Sequence, residues 1–267
     1  MNISGKVFVV TGGGNGIGRE VVLQLLGEGA HVAAVDLNAE ALAHTTTLAG
    51  AGDRLTTHTV NITDRDAVHA LPDQIIAHHG NVDGIVNVAG VIQQFVRIID
   101  LPYEEIEKVM NVNFWGTMHM VKAFLPHLVT RPEATILNVS SMGAYAPVPG
   151  QAVYGASKAA VSLLTEALYA ELKDTGVNAT VIYPGAIATD ISKNSGITTP
   201  GRANKDAAST HKTTPAPVAG RVIVDAIRDG KFRDTIGADA AMMDRLHRLS
   251  PKRATDIIAK KMADLLG

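Results

Sequence analysis

Short runs of β-branched and aliphatic residues alternate along the chain with longer stretches whose apolar positions recur every three or four residues. KVFVVT, HVAAVD, RLTTHTV and VDGIVNVA read as strands, and the segments between them, 16–28, 38–49 and 64–79, read as helices. Strand–helix–strand repetition of this kind builds a parallel sheet whose right-handed crossovers put helices on both faces. The alternation continues through a helical stretch at 102–129, the strand ATILNVS, a helix at 151–175 ending before Gly176, and the strand VNATVIY. Residues 191–217 break it. They are rich in Ser, Thr, Gly and Pro and offer little apolar surface, which predicts a functional or mobile loop. A helix at 217–229, the strand FRDTIGA and a helical segment over 239–267 follow, the last divided at Ser250 and Pro251 as an N-cap and a Pro at N1. No repeat or linker interrupts the series, so residues 1–267 read as one α/β domain.

Composition narrows the function classes. The net charge of −2 gives no field to gather nucleic acid or an anionic membrane, and no apolar run is long enough to span a bilayer. The chain has no cysteine, which removes disulfides, thiolate nucleophiles and thiolate metal sites together. The N-terminus lacks the shape of a signal sequence, and a cytoplasmic location is expected. None of the ten histidines forms an H-E-x-x-H pair, so no metal is expected, and adjacent His78 and His79 are expected to lie on the surface.

The first strand runs into TGGGNGIG, Thr11 to Gly18, immediately before the first helix. A glycine turn there brings backbone N–H groups and a helix N-terminus against a pyrophosphate. Asp36 ends the second strand, where a carboxylate bonds the adenosine ribose hydroxyls and repels a 2′-phosphate, which favours NAD; a helix-capping role for Asp36 is the alternative. Arg19 is expected to point along its helix.

In YGASK, Tyr154 and Lys158 stand four apart at a helix start and share a face. Tyr169 and Lys173 repeat the spacing deeper in the same helix, so spacing alone decides nothing. Context does: Ser141 lies thirteen residues before Tyr154 at the end of a strand, whereas Ala156 stands thirteen before Tyr169. Ser140 is an alternative to Ser141. A free phenol is a poor base near neutrality; a lysine ammonium within reach is expected to lower its pKa.

These motifs resemble the short-chain dehydrogenase/reductases. The match runs through TGGGNGIG, NVAG at 87–90, NVNFWG at 111–116, NVSS at 138–141, YGASK at 154–158 and PGAIAT at 184–189, in family order and spacing. The resemblance implies a Rossmann-like three-layer α/β/α sandwich around a mostly parallel seven-stranded sheet, and a homodimer or homotetramer. It implies a catalytic tetrad of Asn113, Ser141, Tyr154 and Lys158. Lys158 would also bond the nicotinamide ribose, and Asn113 would anchor a water relaying protons to it. Cofactor contacts would come from Gly12, Asn15, Gly16, Ile17, Gly18, Asp36, Leu37, Asn61, Ile62, Asn87, Ala89, Gly90, Tyr154, Lys158, Pro184, Gly185, Ile187 and Thr189. Asn61 replaces a frequent Asp; Val88, at a variable place, is not carried over.

The expected activity is hydride transfer between NAD(H) and a secondary alcohol or ketone, with Tyr154 as acid/base. Two rivals are an NADPH-dependent 3-ketoacyl reductase and a non-catalytic dinucleotide sensor or scaffold. The resemblance implies substrate contacts from VIQQFV, MGAYAPVPGQ and the mobile loop after Thr189, over 191–217; the first two are largely apolar and suggest an uncharged or mildly polar substrate, although Arg97, Lys193 and Arg202 lie within reach. The stripe of Ala254, Ile257, Ile258, Met262 and Leu265 is expected to dock on the body or on a sister subunit.

Overall fold

Strand β1 (Val7–Thr11) buries five residues in a row because helices cover both its faces. Phe8 and Val10 pack on one side against α1 (Gly16–Gly27) and a later helix; Val7 and Val9 pack on the other against Ile75, Phe124 and Leu128. The computed structural model describes residues 1–197 and 213–263. After α1 come β2 (His31–Asp36), α2 (Ala39–Ala49), β3 (Leu55–Thr59), α3 (Arg65–His69), α4 (Leu71–His79) and β4 (Gly84–Asn87). The chain continues with α5 (Tyr103–Met110), α6 (Thr117–Leu128), β5 (Ala134–Val139), α7 (Ala152–Glu171), β6 (Val177–Pro184), β7 (Ile187–Ala188) and α8 (Ile191–Asn194). It closes with β8 (Thr214–Pro215), α9 (Ala216–Asp229), β9 (Arg233–Ile236), α10 (Ala238–Leu249) and α11 (Pro251–Lys261).

Seven strands form one sheet in the order β3-β2-β1-β4-β5-β6-β9, every neighbour parallel. These are the seven runs expected from the sequence. Chain order reverses between β1 and β4, and the crevice beyond the strand ends at such a reversal is where α/β sheets bind ligands.

Several expected boundaries move, each for a local reason. The helix expected over 64–79 divides into α3 and α4, because Pro72 has no N–H to give the Val68 carbonyl. The stretch at 102–129 stays helical but widens into a π-turn at Asn111–Gly116. α7 stops at Glu171, four residues short of the expected end, where the Leu172 N–H still bonds the Leu168 carbonyl. Within 191–217 the chain forms α8 and two short strands, β7 and β8, that pair with each other; residues 198–212, Arg202 among them, lie outside the described residues.

The Ser250 hydroxyl accepts from the Arg253 N–H and starts α11, as the Ser-Pro pair predicts. Ala254 and Ile258 are buried against Tyr145, Tyr183 and Met243, so this helix docks on its own chain. Ile257 is left more than a third exposed, and Leu265 lies outside the described residues. Among the described residues no helix is long and apolar enough to cross a membrane.

Candidate active site

The cradle between β1 and α1 depends on glycine at particular points. Gly12 and Gly16 have φ of +71° and +52°, a region costly for other residues. A Cβ on Gly18 would stand 2.1 Å from the Gly12 carbonyl oxygen, so only glycine lets α1 start this close to the turn. Asn15 caps α1, its side-chain oxygen accepting from the Gly16 N–H at 2.8 Å. The Thr11 hydroxyl accepts from the Val88 and Ala89 N–H groups at 3.0 and 3.2 Å and ties this turn to the end of β4. Between the two loops lies a cleft of about 410 Å³.

Most residues expected to hold a dinucleotide line that cleft: Gly12, Asn15, Gly16, Ile17 and Gly18 from the cradle, Asp36 and Leu37, Asn61 and Ile62, Ala89 and Gly90, and Thr189. Asp36 accepts from the Gly14 N–H at 2.9 Å through one oxygen and from the Asn38 N–H at 3.0 Å through the other. A carboxylate has about four acceptor positions, so it can serve these amides and still face a ribose. The capping alternative does not hold: the side-chain cap of α2 is Asn38, which accepts from the Ala41 N–H, and Asp36 reaches only the N–H of Asn38 itself. Arg19 does not run along its helix; its guanidinium turns back to the Gly14 carbonyl and the Thr45 hydroxyl. Asn61 closes a local turn, its side-chain oxygen accepting from the Thr63 backbone and hydroxyl. No basic residue lines the cleft among the described residues, while Asp36 and Asp190 do.

The lining differs from expectation in several places. Val88, left out of the expected set, lines the cleft. Asn87 instead sits inside the sheet, where strand alternation turns its side chain to Asn138 at 2.8 Å. Pro184, Gly185 and Ile187 lie outside this cleft. Gly185 packs against Asp239, whose carboxylate holds the Ala186 N–H at 2.8 Å. Unexpected lining comes from Ala41, Val60, Val112 and Asn194, ordinary residue types with no local signature.

The four residues expected to form a tetrad lie in two pairs, at Gly90 and at Gly143. A Cβ on Gly90 would lie 3.1 Å from the Lys158 Nζ and 3.2 Å from the Asn113 Oδ1, so the backbone there passes directly over both. A Cβ on Gly143 would meet the Ser141 Oγ at 3.4 Å and the Tyr154 ring at 3.5 Å, which puts hydroxyl and phenol side by side. The two adjacent serines separate cleanly. The Ser140 hydroxyl is buried and bonds the Lys158 carbonyl and the Ser162 hydroxyl, each at 2.8 Å, whereas Ser141 faces Tyr154 and accepts from the Gly143 N–H at 3.0 Å. Accepting that bond leaves the Ser141 O–H free to donate.

Asn113 sits in the π-turn, and its amide clamps the Val91 N–H and carbonyl, both at 2.9 Å, and reaches the Ser157 hydroxyl. The Lys158 Nζ donates to the Val139 carbonyl at 3.0 Å. Burial lowers the Lys158 pKa to about 8. Burial pushes the Tyr154 phenol above its ordinary value, against a smaller downward pull from Ser141. This reverses the expected direction for the phenol: desolvation outweighs the Ser141 hydrogen bond that opposes it, and no lowering by Lys158 enters the balance.

The second pair stays apart from this site: Lys173 lies over the Tyr169 ring at 5.6 Å, and Tyr169 packs against Phe232. His78 is exposed, as expected, whereas His79 is half-buried and departs from a plain surface residue. His79 stacks edge-on against His78 and His31 and bonds the Thr56 hydroxyl, and burial together with these neighbours lowers its pKa to about 4. Sequence spacing hides this because His31, Thr56 and His79 come from three elements.

Residues 6–199 match the family model described as short chain dehydrogenase. Over 98% of this chain and 97% of the relative, the sequence is 32% identical to a putative oxidoreductase, SadH, of Mycobacterium tuberculosis. A short-chain dehydrogenase/reductase from Burkholderia phymatum, solved in complex with NAD, superposes with a TM-score of 0.85 at 25% identity, covering 95% of this chain and 96% of that one. A short chain dehydrogenase from Burkholderia cenocepacia, solved in complex with NADP, gives 0.81 at 25% identity over 97% and 99%. On the cradle, the seven-stranded parallel sheet and these matches, the chain belongs to the short-chain dehydrogenase family of oxidoreductases.

Proposed function

We propose that this protein is an NAD-dependent oxidoreductase that interconverts a secondary alcohol and a ketone, with Tyr154 as the acid/base. The observation that carries it is the convergence of the Tyr154 phenol and the Ser141 hydroxyl at Gly143, with the Lys158 ammonium against Gly90 in the cleft wall. The cradle fits a dinucleotide: Gly12 and Gly16 supply the positive φ of the turn and Gly18 lets α1 start against it, so that the N-terminus of α1 borders the cleft where a pyrophosphate would sit, and Asp36 in the same lining would meet the adenosine ribose. Bound NAD supplies the hydride acceptor. Tyr154 takes the carbinol proton in oxidation and returns it in reduction, and Ser141 donates to the substrate oxygen as its charge changes. Lys158, one turn along α7 from Tyr154, supplies the cation of the site, and Asn113 keeps the Val91 backbone in place.

Support for NAD over NADP comes from the two carboxylates and the absence of a basic residue among the described lining. The neighbour solved with NADP keeps the phosphorylated cofactor as the alternative to be measured. We further propose a homodimer or homotetramer in the cytoplasm, with light scattering giving the assembly state; the exposed Tyr103, Trp115 and Leu163 offer apolar surface for it.

The test is NADH formation from alicyclic alcohols, polyols, hydroxysteroids and 3-hydroxyacyl thioesters. Tyr154→Phe is expected to retain NADH binding and lose at least about 1,000-fold in kcat. Tyr169→Phe is expected to be nearly silent. Similar activity in the two variants refutes the acid/base assignment.

A further inference from the structure

α7, which carries Tyr154, has no side-chain cap of its own: Gln151 occupies the N-cap position without bonding the first turn. The cap comes from elsewhere in the chain. The Gln93 Oε1 accepts from the Val153 N–H at 2.8 Å and from the Tyr154 N–H at 3.0 Å, two donors that a helix start otherwise leaves unsatisfied. Gln151 returns the contact, its Nε2 donating to the Gln93 carbonyl at 2.7 Å. Gln93 is fully buried, so neither N–H can turn to water in its place.

Gln93 belongs to the loop that leaves the cleft wall. The residues before it are held just as firmly: Val91 by the Asn113 amide, and the Ile92 N–H by the Ser195 hydroxyl at 3.1 Å. The wall of the dinucleotide cleft and the first turn of α7 are thereby joined through one side chain. We propose that Gln93 is a positioning residue for the reaction: its amide oxygen caps α7 from outside and sets where the Tyr154 phenol stands relative to the cleft. This rests on the acid/base role assigned to Tyr154 above. The physical reason is geometric. A small displacement of an acid/base group costs turnover steeply, while cofactor affinity is shared among many contacts, the cradle and Asp36 foremost, and changes far less.

The test compares Gln93→Met, which keeps the length and removes the oxygen, with Gln93→Glu, which keeps an oxygen at the capping position. The assays are oxidation of the fastest alcohol in the panel above and NADH titration. Gln93→Met is expected to lose about 10- to 100-fold in kcat and leave the NADH Kd within about twofold. Gln93→Glu is expected to restore most of that kcat at its alkaline plateau. Its carboxylate near Tyr154 is also expected to move the pH midpoint of oxidation upward, since negative charge disfavours the phenolate. Wild-type kcat in Gln93→Met, or an equal loss in both variants, overturns the proposal. If Gln93→Met shows no cooperative melt, Gln93→Glu alone decides, and an unmoved midpoint overturns the proposal. Tyr154→Phe assayed in parallel separates the two ideas. If it turns over alcohol, the acid/base role itself falls; if it is inactive while Gln93→Met matches wild type, only the positioning role falls.

Discussion

Replacing Asp36 by Asn tests cofactor selection through the group the cleft offers to the adenosine ribose. The substitution keeps the shape and removes the charge, and the structure shows what else it changes. The two carboxylate oxygens accept from different backbone amides, Gly14 at 2.9 Å and Asn38 at 3.0 Å, so an amide satisfies one and turns its own NH₂ towards the other. The amide oxygen can stay on the part-buried Gly14 N–H while the exposed Asn38 N–H turns to water, so the cost is expected to stay below about 1 kcal/mol and a thermal melt to show a small fall in midpoint. Binding changes separately. A carboxylate and a 2′-phosphate about 5 Å apart repel by roughly 1–3 kcal/mol at effective dielectric constants between protein surface and water. Removing that repulsion, together with weaker ribose bonding, is expected to shift the NADH-to-NADPH affinity ratio by about 10- to 100-fold towards NADPH. Fluorescence titration of both reduced cofactors, at low and high salt, measures the ratio, and the shift is expected to shrink as salt screens the charge. A ratio unchanged in Asp36→Asn, or wild-type protein that binds NADPH as tightly as NADH, refutes the reasoning about Asp36.

Gly18→Ala is expected to abolish NADH binding and lower the melting midpoint, because its Cβ would stand 2.1 Å from the Gly12 carbonyl oxygen; calorimetric titration showing wild-type affinity would contradict the geometry. The pKa of His79 falls from 6.5 to about 4 in the folded protein, so the unfolded chain binds a proton first as pH drops. Stability is therefore undiminished above 6.5 and is expected to fall by about 1–2 kcal/mol on the way down to pH 4, after allowance for the ring's exposure; denaturant unfolding across that range checks it, and His79→Gln should flatten the slope. Because burial raises the Tyr154 pKa, alcohol oxidation is expected to gain rate with rising pH through the alkaline range, while ketone reduction loses rate; a flat oxidation profile from neutrality upward would count against the phenol as base.

The five central strands could be read directly because each is a short, largely apolar run, and a strand buried on both faces needs little beyond local composition; the edge strands β3 and β9 are mostly polar and were legible from their place in the strand–helix alternation. The glycine cradle was equally legible, since a positive φ or a missing Cβ demands a particular residue at a particular place. Pro72 was in plain view and still missed as a break; the apolar period on either side of it continues and outvotes a single absent donor in any windowed reading.

What the chain order determined about this protein is therefore local: the repeating strand–helix units, the glycine turn, and the spacing that puts Tyr154 and Lys158 on one helix face. Only the folded arrangement decided which of two adjacent serines faces the phenol, that Val88 rather than Asn87 meets the cleft, that His79 is half-buried against His31 and His78, and that α7 is capped by a residue 61 positions away. Each of these is a meeting between groups far apart in sequence, or a choice of which way one side chain turns. Periodicity is blind to both, because such contacts form only where packing of the whole sheet and its helices brings distant segments within reach.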